Sequence, residues 1–207
     1  MPSTVSTGRV ERELEKFGLL LESDPNLPSV TRIVTGRKIK GSWWGDPQGR
    51  AIWRVLGEFN SRPHVLQMKL ISGKVTYVAK RLWPSVLAVV RSGESWQTRS
   101  LGRTGKDLYR LVQEVGEVDT IEARRAFGPA VVGEARKLER GLLVHSEQFH
   151  SESGFHAKKL RSWDRWEEMK QFHEATPGSA VAKETIADLV RGMNERYDGK
   201  GKLPWEV

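Results

Sequence analysis

Apolar residues recur along this chain with two periods, and the switches between them mark its elements. In residues 9–22, Leu14, Phe17, Gly18 and Leu21 follow a helical stripe, widened by Leu19 and Leu20. Asp24-Pro25-Asn26-Leu27-Pro28 ends that helix, because neither proline can continue it. Val30, Ile33 and Val34 fit a short helix or a strand equally well. Pro47 suits a first helical turn, and Ile52, Val55, Leu56 and Phe59 supply the stripe of a helix over 47–60. Residues 65–71 and 74–81 then alternate with period two around Ser72-Gly73, which predicts a β-hairpin. Val86, Leu87 and Val90 give a short helix, and 92–100 reads as a linker.

Beyond Gly102 the order is cleaner. Leu108, Leu111, Val112 and Val115 mark a helix over 106–115, and Gly116-Glu117-Val118 reads as a short break. Asp119 is an N-cap candidate with Glu122 three residues on, the pattern of a capping box. That helix runs to Phe127, and Gly128-Pro129 breaks it. Val131, Val132, Ala135 and Leu138 form one face of a third helix ending at Gly141. Residues 142–148 and 157–163 read as strands around the polar loop His150-Ser151-Glu152-Ser153-Gly154. The chain from Asp164 onward is helical, with a break at Pro177-Gly178 and a stripe of Ile186, Leu189, Val190 and Met193 in 180–197. Residues 198–207 read as loose. The expected class is α+β, mostly helical with β-hairpins. The expected domains are a basic helix/hairpin domain over 1–102, a second domain over 103–166 and a helical tail over 167–207.

Three short helices followed by a two-stranded wing is the order of a winged helix, and residues 103–166 resemble that superfamily. Phe127-Gly128-Pro129, the run Arg136-Lys137-Leu138-Glu139-Arg140-Gly141-Leu142-Leu143-Val144 and the serine/glycine loop carry the resemblance. The whole chain is similar to bacterial AlkZ-type winged-helix DNA-repair proteins, in which winged helices occur in tandem. On that resemblance the helix–hairpin pattern at 47–82 is a degenerate earlier unit, and the partner is DNA. AlkZ-type glycosylases carry a catalytic Gln-x-Gln motif. The nearest string here, Gln67-Met68-Lys69, lacks the second glutamine and so departs from the family at its catalytic position.

Composition narrows the chemistry. Apolar residues are 38% and charged residues 29%, in periodic runs that fit a folded chain. With no cysteine there is no disulfide, thiolate metal site or cysteine nucleophile. The N-terminal segment has no apolar signal core, and the longest apolar run, at 86–90, is too short for a bilayer. A cytoplasmic protein without a membrane partner is expected. The net charge is +8, which favours polyanionic partners through counterion release. It is unevenly placed. Residues 30–102 hold 13 basic and 3 acidic residues, whereas 103–207 hold 18 of each.

The candidate DNA-binding residues therefore fall in two groups. Arg136, Lys137 and Arg140 lie off the apolar stripe of the third helix, and Lys158, Lys159 and Arg161 lie on the second wing strand. Glu134 and Glu139 on the same helix argue instead for an ordinary solvated face. In the first half, Arg37, Lys38, Lys40, Lys74, Lys80 and Arg81 are interleaved with Trp43, Trp44 and Trp83, a composition suited to a groove with stacking platforms. Trp53 reads as core, and at most one of the adjacent Trp43 and Trp44 is expected to be exposed.

His145, His150 and His156 do not have a helical metal spacing, and Ser72-Gly73-Lys74 lacks the glycine-rich loop of a phosphate site. No cofactor, metal or catalytic set is expected. The leading expectation is a non-enzymatic protein that binds nucleic acid, with double-stranded DNA as partner, in regulation or repair. The alternatives are an AlkZ-type DNA glycosylase relative and a winged-helix protein-interaction module, the latter favoured by the balanced charge of 103–207.

Overall fold

One order of helices and strands occurs twice along the chain. The computed structural model describes residues 6–39, 41–150 and 156–206. The first round comprises α1 (Thr7–Phe17), β1 (Leu19–Leu21), α2 (Val30–Thr35), α3 (Gly49–Asn60), β2 (Val65–Lys69) and β3 (Val75–Ala79). The helices α4 (Trp83–Val90) and α5 (Ser95–Thr98) follow. The second round comprises α6 (Arg103–Val115), β4 (Glu117–Asp119), α7 (Thr120–Phe127), α8 (Val131–Arg140), β5 (His145–His150) and β6 (His156–Arg161). Helices α9 (Trp163–Lys170) and α10 (Ser179–Tyr197) close the chain. The α+β class is as expected.

Both rounds have the same sheet topology. Each sheet has three antiparallel strands, in the order β1-β3-β2 and β4-β6-β5. The first strand of each is only three residues long, too short to show a period. Both were read from sequence as something else, β1 as the end of a helix and β4 as a break.

A glycine makes the turn in each case. Gly18 and Gly116 adopt φ 79° and 81° and direct their N–H groups back to Leu14 and Val112. Such φ values are costly for any residue with a Cβ. Their carbonyls then accept from Ala79, the last residue of β3, and from Ser162, just past β6, both at 2.9 Å. Residues 9–22 therefore hold a helix and a strand rather than one helix.

Contacts divide the chain into two compact units. The first takes the chain up to Val86 together with the chain from Pro177 onward, and the second is Leu87–Thr176. In the first, Val10, Leu14, Val30, Val34, Ile52, Val55, Leu56 and Phe59 from three helices pack on Leu20, Val65, Tyr77 and Ala79 of the sheet. Residues 199–206 belong to this unit and are not loose. Ser72 and Lys202 exchange two backbone-anchored hydrogen bonds, Asn194 holds Gly201 through both its amide groups, and Leu203 is buried. In the second unit, Leu108, Val112, Ala123, Val131, Ala135 and Leu138 pack on Val118 and Leu160. The expected linker at 92–100 contains α5, where Glu94 and Gln97 form a capping box. Gln97 is fully buried and donates to the Val90 carbonyl.

Candidate nucleic-acid interface

The third helix of the second unit is set by its break. Gly128 takes φ 79°, Pro129 follows, and α8 begins two residues later. Its apolar stripe turns inward, which leaves Arg136 and Arg140 exposed, with no ion-pair partner among the described residues. The two glutamates of this helix do not stay on the outer face. Glu134 accepts from the Gly102 backbone N–H and pairs with Lys137 at 2.7 Å. Glu139 is buried and pairs with Lys158. The helix therefore shows a cationic exterior although its composition is mixed. Arg124 and Arg125, in the last turn of α7, are exposed as well.

The hairpin offers less than its composition suggests. Lys159 and Arg161 share one face of the sheet and Lys158 takes the other. Lys158 reaches Glu139, and Lys159 reaches Glu117 at 3.2 Å. Arg161 is 6% exposed and lies between Glu117 and Glu147. Burial alone would lower its pKa, but the bonds to the two carboxylates outweigh this and raise it. Arg161 ties three strands together and is not available to a ligand. Of the histidines, His145 lies against Trp163 and Trp166 at 5.9 and 6.1 Å, with its Nδ1 sealed from solvent. The residues of the polar loop from Ser151 to Gly154 lie outside the described set.

In the first unit the basic residues fall into separate places. Lys74 pairs with Asp24 at 2.7 Å, and Lys38 donates to Asn26 at 2.9 Å, so both flank one turn. Arg37 pairs with Asp46 at 2.6 Å. Lys80 is exposed at the far end of β3, beside Arg81, which reaches Glu15 of α1 at 3.5 Å. Six steps of extended chain separate Lys74 from Lys80, about 20 Å. These residues do not form one patch. Lys40 lies outside the described residues.

The aromatic residues are more concentrated. Trp43 is buried and stacks on Trp44, with ring centroids 4.1 Å apart. Trp44 in turn meets Trp53 of α3 at 5.2 Å. Trp44 is 65% and Trp53 55% exposed. One of the adjacent pair is buried, as expected, but Trp53 is not core. Its neighbours in the helix show why: Ile52, Val55, Leu56 and Phe59 already complete the buried stripe, and position 53 lies off it.

Below the aromatic column is a cleft of about 590 Å³, lined by Glu22, Asp24, Trp43, Lys69 and Lys74 among others. Burial raises the pKa of Glu22, only partly offset by the hydrogen bond from the Trp43 indole N–H at 3.2 Å. Burial acts to raise Asp24 too, but the bonds from Lys74 and from the Leu27 and Asn26 backbone hold it below the usual carboxylate range. A protonatable Glu22 beside an ionised Asp24 is a pairing suited to proton transfer. Nothing in the local sequence marks Glu22. It stands at the end of a three-residue strand, and its neighbours in the cleft come from positions up to 53 residues away. Gln67, the remnant of the Gln-x-Gln string, is half-buried opposite Tyr77 and is not in the lining.

Fold and surface thus define a two-unit α+β protein with a cationic third helix in one unit and an aromatic third helix in the other. The family model described as AlkZ related matches residues 7–200, and the chain belongs to that family, which makes it a relative of DNA-repair proteins. No curated protein and no solved structure matches it. Among the described residues, no helix is long and apolar enough to cross a membrane.

Proposed function

We propose that this chain is a non-enzymatic DNA-binding protein of repair or regulation that engages double-stranded DNA through winged-helix units. Residues 103–166 serve as one such unit, with α8 as the helix presented to the duplex and the β5–β6 hairpin as its wing. The first unit, with the same element order, is a degenerate second unit whose third helix does not read the duplex. The observation that carries this reading is the fate of Glu134 and Glu139. Both are consumed by internal contacts, so the outer face of α8 presents Arg136 and Arg140 without a compensating carboxylate. In the first unit Lys80, exposed and without an ion pair among the described residues, adds phosphate attraction, whereas Arg37, Lys74 and Arg81 are compensated by Asp46, Asp24 and Glu15 and Lys38 is held by Asn26.

A salt titration of duplex binding tests this. Affinity for a 20-base-pair duplex is expected to fall log-linearly with salt, with a slope of about −0.9 per neutralised phosphate. Absence of binding at about 50 mM salt sinks the reading, since counterion release is strong there for any basic DNA binder. Reversal of charge in Arg136→Glu/Arg140→Glu is expected to weaken binding by roughly tenfold or more. Unchanged binding would move the contact away from α8 and favour a protein-interaction role for the second unit.

The cleft around Glu22 favours a second reading, base excision by a relative of the AlkZ-type glycosylases. A raised carboxyl beside an ionised one is the group such chemistry needs. Release of an alkylated base from duplex DNA, abolished by Glu22→Gln with DNA affinity retained, would establish it.

A further inference from the structure

Two large indoles on the surface of a small unit are unusual, because each leaves in water apolar area whose burial would be favourable. Trp43 explains itself, since it fills the core and binds Glu22. Trp44 and Trp53 do neither. They continue the stack outward from Trp43 and end in solvent.

The surroundings of the pair are open and carry Arg50 together with Arg54, the latter paired with Glu58 at 2.9 Å. On α3, positions 50, 53, 54 and 57 share one side of the helix at the i, i+3, i+4, i+7 spacing. They are Arg50, Trp53, Arg54 and Gly57, and all four are exposed. A glycine inside a helix costs about 1 kcal/mol relative to alanine. Gly57 has open space where a Cβ would stand, so packing does not require it. Gly45, next to Trp44, is open in the same way. Two exposed rings, inclined at 45° to one another and bordered by two bare backbone positions and by Arg50, leave room for a planar group to approach one ring face closely. Arg50, exposed on the same side of α3 and without an ion pair among the described residues, suits an anionic chain rather than an apolar peptide.

We infer that Trp44 and Trp53 form a stacking platform for unpaired bases of single-stranded DNA. Every base has a π-face, and its phosphates lie within reach of basic side chains such as Arg50, so recognition is tolerant of sequence. This deepens the DNA-binding reading and rests on it: it adds a preference for unpaired DNA, located in the first unit.

The experiment compares a twelve-nucleotide oligodeoxythymidylate with a blunt 20-base-pair duplex, by fluorescence anisotropy with the full chain at low salt. Trp44→Ala/Trp53→Ala is expected to lose roughly 10- to 100-fold in affinity for the oligonucleotide, from about 1–3 kcal/mol per stacked base. Duplex affinity is expected to change by less than about twofold, because helix charges that grip a duplex are untouched. Trp44→Phe/Trp53→Phe keeps the π-faces and should retain affinity within about fivefold. Circular dichroism checks that each variant is folded.

Oligonucleotide binding equal to wild type in the alanine variant overturns the platform, and is the outcome expected if the patch holds a protein partner instead. Equal losses on both DNA forms also overturn it. A wild-type chain that binds the duplex but not the oligonucleotide overturns the platform and leaves the DNA-binding reading standing. A chain that binds neither overturns both.

Discussion

The two units share a topology but not the outer face of the sheet. In both, the inward face packs on helices with apolar residues, Leu20 and Tyr77 in one, Val118 and Leu160 in the other. On the other face the registers run Leu19–Val78–Leu66 and Leu21–Thr76–Met68 in the first unit. The equivalent rows in the second are Glu117–Arg161–His145 and Asp119–Lys159–Glu147. Five apolar residues and a threonine in one unit stand where six ionisable residues stand in the other. The first set is wholly buried, so its sheet is covered on both faces. The second is held by ion pairs and by the ends of its helices. One backbone plan thus tolerates two chemistries on one face, because the hydrogen-bonded ladder and the helix-facing core suffice to define it. The third helices differ as well: α3 shows Trp53 beside Arg50 and Arg54, and α8 shows Arg136 and Arg140 with no aromatic residue.

The equivalence of the units has a direct test with a large expected effect. Trp83 and Trp163 both follow the last strand of their unit, and both are buried. Each donates its indole N–H to a backbone carbonyl, Trp83 to Val78 at 3.3 Å and Trp163 to Leu142 at 2.8 Å. Trp83→Ala and Trp163→Ala are each expected to cost about 3–5 kcal/mol in urea unfolding. Costs that differ by more than about 2 kcal/mol would break the claim that the two play the same part.

The contrast between outer faces predicts a smaller loss. Arg161→Val copies Val78 of the first unit but takes the Arg161 cation from Glu147 and leaves Glu117 with Lys159 alone. A loss of about 2–3 kcal/mol is expected, from charged hydrogen bonds to half-exposed carboxylates. Adding Glu117→Leu, the residue at the matching position 19, should recover part of it. If the double variant is no more stable than the single one, the rows are not interchangeable.

How much of this was legible in the sequence depended on distance along the chain. The hairpin at 65–79 and helix α8 were legible because alternation and a helical stripe are local signals. Trp53 was misread because its apolar identity was weighed above its position. The stripe of Ile52, Val55, Leu56 and Phe59 already excluded it. The burial of Arg161 depends on Glu117 and Glu147, 44 and 14 residues away. The order of 199–206 depends on Ser72, 130 residues from Lys202. No window of sequence contains such pairs. The cleft is the same case, since Glu22 and Lys69 meet only once β1 joins the hairpin.

Acid should separate the units. Burial, followed by the charges of Arg161 and Lys170, pushes His145 down to about 3. Its value in the unfolded chain is about 6.5. The folded imidazole is therefore neutral where the unfolded one takes a proton. Its contribution is present above pH 6.5 and lost as pH falls from there toward 3. Stability should decline by roughly 1 kcal/mol per pH unit between about 6 and 5, before the carboxylates titrate. His145→Leu, which copies Leu66, should flatten that slope. A wild-type profile flat from pH 7 to 5 would show that the sealed imidazole is protonated in the fold.

The smallest effect concerns the proposed DNA contacts of the two third helices. Exposed arginines act on phosphate mainly through counterion release, and a single one is worth no more than about 1 kcal/mol at moderate salt. Loss of affinity alone would be hard to assign, but the salt slope counts contacts. Arg136→Gln/Arg140→Gln removes two charges from α8 and should reduce the duplex slope by about 1.8. Arg50→Gln removes one from α3 and should reduce the oligonucleotide slope by about 0.7, the value for one contact on a single strand, with the duplex slope unchanged. The crossed pattern is what two units of one plan and different faces require. If Arg50→Gln lowers the duplex slope as much as either α8 charge does, both helices read the duplex, and the difference between the units lies only in the outer faces of their sheets.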